Sequence, residues 1–163
     1  MRTGDSGGYA PATAPTGGIP VADILFDFPI AAPAARVFEA VSTPAGLDAW
    51  WTERSKGTAR PGAAFELWFP PDFDWRARVS ACEPGVRFEL EMTQADADWQ
   101  GTRIGFELEA QGASTRLRFH HLGWPAGNDH YRVSCFCWAM YLRLLRRHVE
   151  AGETVPYAQR LDV

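Results

Sequence analysis

Four histidines, three cysteines and a scatter of carboxylates are the side chains of this chain that could carry chemistry. His121 is the most informative of them. It continues the parity of Thr115, Leu117 and Phe119, which places it on the apolar face of a strand. There an imidazole could bond the polar end of a ligand or shuttle a proton. A strand-end histidine satisfied by a backbone carbonyl fits the same pattern. Asp72, Asp74 and Trp75 form an acidic, aromatic turn that could rim a pocket or stand as a solvated hairpin tip. Trp50 and Trp51 are adjacent large rings, suited either to a cavity mouth or to plain core.

Other chemistries find little support. His120, His121, His130 and His148 show no metal-ligand spacing, and neighbouring strand residues face opposite ways, so no metal is expected. Cys135 and Cys137 would point about 200° apart on a helix, and Cys82 stands alone. Buried thiols are the expectation for all three. The chain has no GxSxG, Walker-type loop or Rossmann glycine motif, so neither nucleotide cofactors nor hydrolase chemistry are expected. Arg143, Arg146 and Arg147 suit the C-terminal end of a helix dipole.

The elements that must position these residues can be read from periodicity. Residues 1–22 read as a flexible leader, because the Gly, Pro, Ala and Thr that dominate it bury too little surface to offset ordering entropy. From Asp23 onward the pattern changes. Ile24, Phe26, Phe28 and Ile30 alternate with Leu25, Asp27 and Pro29 and predict a strand. Pro33 then opens a helix through Val37, Phe38 and Val41. Thr43-Pro44 opens a second, short one through Leu47, Trp50 and Trp51. Five alternating stretches follow, with Phe65, Leu67, Ala77, Val79, Phe88, Leu90, Phe106, Leu117 and Phe119 on the apolar side. Their polar sides carry Arg76 and Arg78, then Glu89 and Glu91, then Glu107 and Glu109, then Arg116 and Arg118. This is the charge alternation of an antiparallel meander. A final helix runs from a cap at Asn128 to a stop at Gly152, with Tyr131, Cys135, Trp138, Tyr141, Leu142, Leu145 and Val149 on one face. Residues 153–163 read as a C-terminal tail.

The order β-α-α-β(five or six)-α predicts an α+β helix-grip fold over residues 23–152. Six to seven antiparallel strands would curve around the long C-terminal helix, with two short helices after the first strand. The chain resembles the START/Bet v 1-like (SRPBCC) superfamily, in its activator of Hsp90 ATPase branch. The residues that carry the resemblance are Phe28-Pro29-Ile30-Ala31-Ala32-Pro33-Ala34-Ala35-Arg36-Val37-Phe38 and Leu47-Asp48-Ala49-Trp50-Trp51. Later pieces are Pro61-Gly62-Ala63-Ala64-Phe65, Thr115 to His121, and Trp138, Leu142 and Leu145. Gly62-Ala63 stands where that branch often has paired glycines. The chain also has no Asn/Trp/His-rich segment like the one by which the eukaryotic co-chaperone stimulates Hsp90.

Three functional expectations follow. The first is a binding module whose cavity, between sheet and C-terminal helix, takes a small hydrophobic molecule. Its lining would be Trp51, Phe65, Leu67, Trp75, Phe88, Phe106, Phe119, His121, Trp138 and Tyr141. The second is an interaction or co-chaperone-like module, with room for a homodimer, motivated by Phe136 among arginines and by Met140 and Leu144. The third, implied by the resemblance, is a polyketide cyclase-like enzyme, for which no catalytic residue can be named. A net charge of −4 gives no pull towards nucleic acid. No apolar run reaches the length of a membrane span and no signal-peptide core is present, so a cytoplasmic protein is expected.

Overall fold

The computed structural model describes residues 23–162. The leader expected over residues 1–22 lies outside the described residues. Seven antiparallel strands form one sheet in the order β1-β7-β6-β5-β4-β3-β2. They are β1 (Ile24–Ile30), β2 (Arg54–Gly57), β3 (Ala64–Phe69), β4 (Phe73–Glu83), β5 (Arg87–Gln94), β6 (Arg103–Gln111) and β7 (Ser114–Leu122). Helices α1 (Ala34–Ser42) and α2 (Pro44–Trp50) follow β1, and α3 (Asp129–Ala151) follows β7. The α+β helix-grip architecture is therefore observed.

Capping explains where the helices begin and end. Thr43 Oγ1 accepts from the Gly46 amide at 3.1 Å, and Pro44 sits inside the first turn of α2. Asn128 Oδ1 accepts from the Tyr131 amide at 2.9 Å to open α3. Gly152, at φ 71°, closes it in the left-handed conformation that glycine adopts without strain. α1 packs its Val37, Ala40 and Val41 inward.

The inner face of the sheet carries the apolar parity set. Phe65, Leu67, Val79, Phe88, Leu90, Phe106, Leu117 and Phe119 are all buried, as are Trp138, Leu142, Leu145 and Val149 of α3. β2 is the strand that periodicity does not reveal. Its sequence Arg-Ser-Lys-Gly has no apolar side, and it forms one edge of the sheet, paired with β3 alone.

The outer face is laced with ion pairs. Arg78 pairs with Glu91, and Arg118 with Glu109 at 2.9 Å. Arg116, opposite Glu109 in register, instead grips Asp27 of β1 through two bonds of 2.7 Å. These exposed pairs contribute fractions of a kcal/mol each and chiefly fix register.

Glu89 departs from that picture. Alternation makes it a solvated meander charge, yet it is 3% exposed. Ser80 Oγ donates to it at 2.8 Å, Arg87 at 3.0 Å, and His120 Nε2 lies 2.8 Å from Oε2. Burial alone would raise its pKa. The bonds from Ser80, His120 and Arg87 outweigh that and hold the carboxyl below its usual range. Gly105 makes the contact geometrically open. It stands between Glu89 and His120 in register, and a Cβ there would lie 2.1 Å from His120 Nε2.

The C-terminal residues are more than a tail. Tyr157–Asp162 forms a 3-10 turn whose Arg160 is 3% exposed. Its guanidinium donates to the carbonyls of Asp48, Thr52 and Val155 at 2.6, 3.0 and 2.9 Å, capping the end of α2. Among the described residues no helix is long and apolar enough to cross a membrane.

Candidate functional site

A cleft of about 230 Å³ opens between one end of the sheet and the first half of α3. α2 delivers Trp51 to it as its C-terminal cap residue. The β3–β4 hairpin supplies Phe69, Phe73 and Trp75, and the β5–β6 connection supplies Asp96 and Trp99. Helix periodicity does the rest. His130, Ser134, Trp138 and Tyr141 recur every three or four residues and share a face, with Val133 and Cys137 beside them.

The rings form one connected wall. Trp99 lies 4.6 Å from Trp75 and 5.9 Å from Trp138, the latter nearly parallel at 20°. Trp51 reaches Trp138 at 5.1 Å and Phe69 at 5.4 Å, and Phe69 reaches Trp75 at 5.1 Å. Such pairs add to burial and rigidify the wall. Phe73 and Val133, 41% and 58% exposed, stand at the rim.

Of the ten residues that sequence reasoning placed in a cavity, Trp51, Trp75, Trp138 and Tyr141 line this cleft. Phe65, Leu67, Phe88, Phe106 and Phe119 are fully packed into the core and do not reach it. His121 sits behind the wall with no exposed surface, and both of its nitrogens are engaged. Thr102 Oγ1 spends its proton on the Trp99 carbonyl at 2.6 Å, so at 2.9 Å it accepts from His121 Nε2–H. Nδ1 then accepts from Trp138 Nε1–H at 3.0 Å. This network fixes one neutral tautomer. Burial, helped by the charges of His120 and His130, pulls the pKa of His121 down to about 3. His121 thus holds Trp138 and the Trp99 backbone in place.

Periodicity missed Phe69, Phe73, Asp96, Trp99, His130, Val133, Ser134 and Cys137 as cleft residues. Asp96 and Trp99 lie in a turn, where period carries no information about direction. Ser134 is a small polar residue on an apolar helix face, and it is 5% exposed with no side-chain hydrogen bond among the described residues. Trp99 Nε1 and Trp124 Nε1 are fully buried and have no partner among the described residues.

Ionisable groups on the wall are few. Burial pushes the Cys137 thiol and the Tyr141 phenol up, so both stay neutral at ordinary pH. His130 Nδ1 lies 3.2 Å from Asp98 Oδ2, which also accepts from Asn128 Nδ2 at 2.9 Å. The bond from Asn128, the largest influence, together with His130 holds the Asp98 carboxyl below its usual range against the opposing effect of burial. A carboxylate behind a histidine is the arrangement that orients a proton acceptor. The described residues contain no group of three or more His, Cys, Asp or Glu able to hold a metal ion.

The fold and the cleft can be compared with known proteins. The Aha1 dimer from Colwellia psychrerythraea has a similar structure, with a TM-score of 0.73 and 25% identity, covering 82% of this chain and 99% of that one. Protein BH1534 from Bacillus halodurans is also 25% identical, with a TM-score of 0.68 over 80% of this chain and 98% of that one. CalU16 from Micromonospora echinospora, at 19% identity and TM-score 0.65, shares the fold over 86% of this chain and 81% of its own. No curated protein matches the chain. The family described as activator of Hsp90 ATPase homolog 1-like protein matches residues 31–150, and this chain belongs to that family.

Proposed function

We propose that this protein binds a small, largely apolar molecule in the aromatic cleft. The observation that carries the reading is the cleft's wall. Seven Phe, Tyr and Trp side chains surround about 230 Å³ of open space, and the Ser134 hydroxyl that lines it makes no side-chain hydrogen bond among the described residues. Apolar walls with a few placed polar groups are the usual make-up of small-molecule sites. The volume suits a compact ligand better than a long acyl chain.

Native mass spectrometry of the protein purified from its own host tests this. A discrete retained mass that vanishes on denaturation supports the reading. Val133→Trp, at an exposed rim position, should leave folding intact while placing an indole over the mouth. Retention of the mass should then fall about tenfold or more, equivalent to losing about 1.4 kcal/mol of binding. Undiminished retention in Val133→Trp would move the ligand away from this cleft.

A second reading, self-association, rests on a separate surface. Phe136 and Leu161 are 73% and 68% exposed and flank a shallow groove with Met140 and Leu144. An adjacent pair of exposed large apolar residues marks an interaction surface more often than a scattered single one. The 25%-identical relative from Colwellia psychrerythraea is described as a dimer, which favours a second copy as the occupant. Sedimentation should show a concentration-dependent dimer that Phe136→Glu shifts to monomer. A wild-type monomer at all concentrations removes this reading.

A further inference from the structure

The charge on the cleft wall says more about the ligand than its apolarity does. Asp96 lines the cleft, and its carboxylate has no hydrogen bond or ion pair among the described residues. No lysine or arginine lines the cleft to neutralise it. The other ionisable side chains there are His130, Cys137 and Tyr141. His130 is tied to the Asp98 carboxylate, so a proton it gained would be balanced locally. Cys137 and Tyr141 remain neutral. Trp75, Trp99 and Trp138 line the same cleft, and tryptophan rings attract positive charge electrostatically.

From the juxtaposition of an unpaired carboxylate with a wall of tryptophan rings, we propose that the ligand is an organic cation, an apolar or aromatic body bearing an ammonium group. The proposal rests on the reading of this cleft as a ligand site and names the class of ligand. The rings receive the alkylated ammonium and its apolar body, and Asp96 balances the charge. Ser134 Oγ offers a further acceptor. An anionic ligand would face an uncompensated carboxylate, and a neutral one would leave Asp96 unpaired.

Benzyltrimethylammonium and its neutral isostere neopentylbenzene have nearly the same shape and differ in charge. Their binding can be followed through the fluorescence of the cleft tryptophans, in the wild-type chain and in Asp96→Asn. That variant removes no internal hydrogen bond, and circular dichroism verifies its fold. The cation should bind about tenfold tighter than the isostere, and that preference should shrink several-fold in Asp96→Asn. Equal binding of the two probes, or tighter binding of neopentylbenzene, overturns the cation assignment while leaving the apolar-site reading standing. A cation preference that Asp96→Asn leaves unchanged overturns the role given to Asp96. Binding of neither probe overturns both the assignment and the reading beneath it.

Discussion

Replacing Gly46 with alanine is expected to lower the melting temperature by about 10 °C, a loss of about 3 kcal/mol for a domain of this size. A Cβ at Gly46 would lie 2.5 Å from the Glu39 carbonyl oxygen, 2.6 Å from that of Ala40 and 2.7 Å from Ala40 Cα. All three are backbone atoms of α1, so no side chain can swing aside and the two helices must separate. The separation would also disturb Trp50, whose Nε1 donates to the same Ala40 carbonyl at 3.0 Å. Trp51 is next in sequence and forms part of the cleft wall, so affinity for a cleft ligand should fall together with stability. Thermal unfolding followed by circular dichroism measures the first effect. An unchanged melting temperature would mean that α1 and α2 do not cross as closely as described.

The second large effect is acid destabilisation through His121. Its folded pKa is about 3, against 6.5 for an ordinary histidine. Above pH 6.5 the imidazole is neutral in both states and full stability is present. Below it the unfolded chain takes a proton that the buried, doubly engaged ring refuses. Stability is therefore lost as pH falls from 6.5 towards 3. Between pH 8 and pH 5 the loss from this residue should be about 2 kcal/mol. Denaturant unfolding at several pH values, for the wild type and for His121→Gln, isolates it. The variant should be less stable at pH 8, because the Trp138 and Thr102 bonds are disturbed, but its stability should fall less steeply over that range. Parallel slopes would show that His121 is not the group that titrates.

Much of the fold could be read from the chain because its inner sheet face alternates so cleanly. Phe65, Leu67, Phe88, Leu90, Phe106, Leu117 and Phe119 are all buried where parity put them. Thr43, Asn128 and Gly152 cap the helices as their chemistry requires. The site was less legible, for a physical reason. Parity says which face a residue occupies, but it does not say where along that face packing ends and open space begins. Phe88, Phe106 and Phe119 share a face with Trp75, yet they are packed over while the sheet end near Trp75 is left open. Trp99 reaches the wall from a turn, through rings that meet it from three elements. Glu89 shows the same limit from the other side. Its burial depends on a glycine one strand away and a histidine two strands away, contacts that no local pattern records.

The seven tryptophans offer a direct test of the central claim, because each indole N–H gives its own nitrogen-15 correlated resonance. Trp51, Trp75, Trp99 and Trp138 line the cleft, whereas Trp50 is buried away from it and Trp68 lies on the far side of β3. Titration with neopentylbenzene or benzyltrimethylammonium should shift the four cleft indoles and leave Trp50 and Trp68 nearly still. Shifts confined to Trp68, or no saturable shifts with either probe, would contradict a ligand site in this cleft.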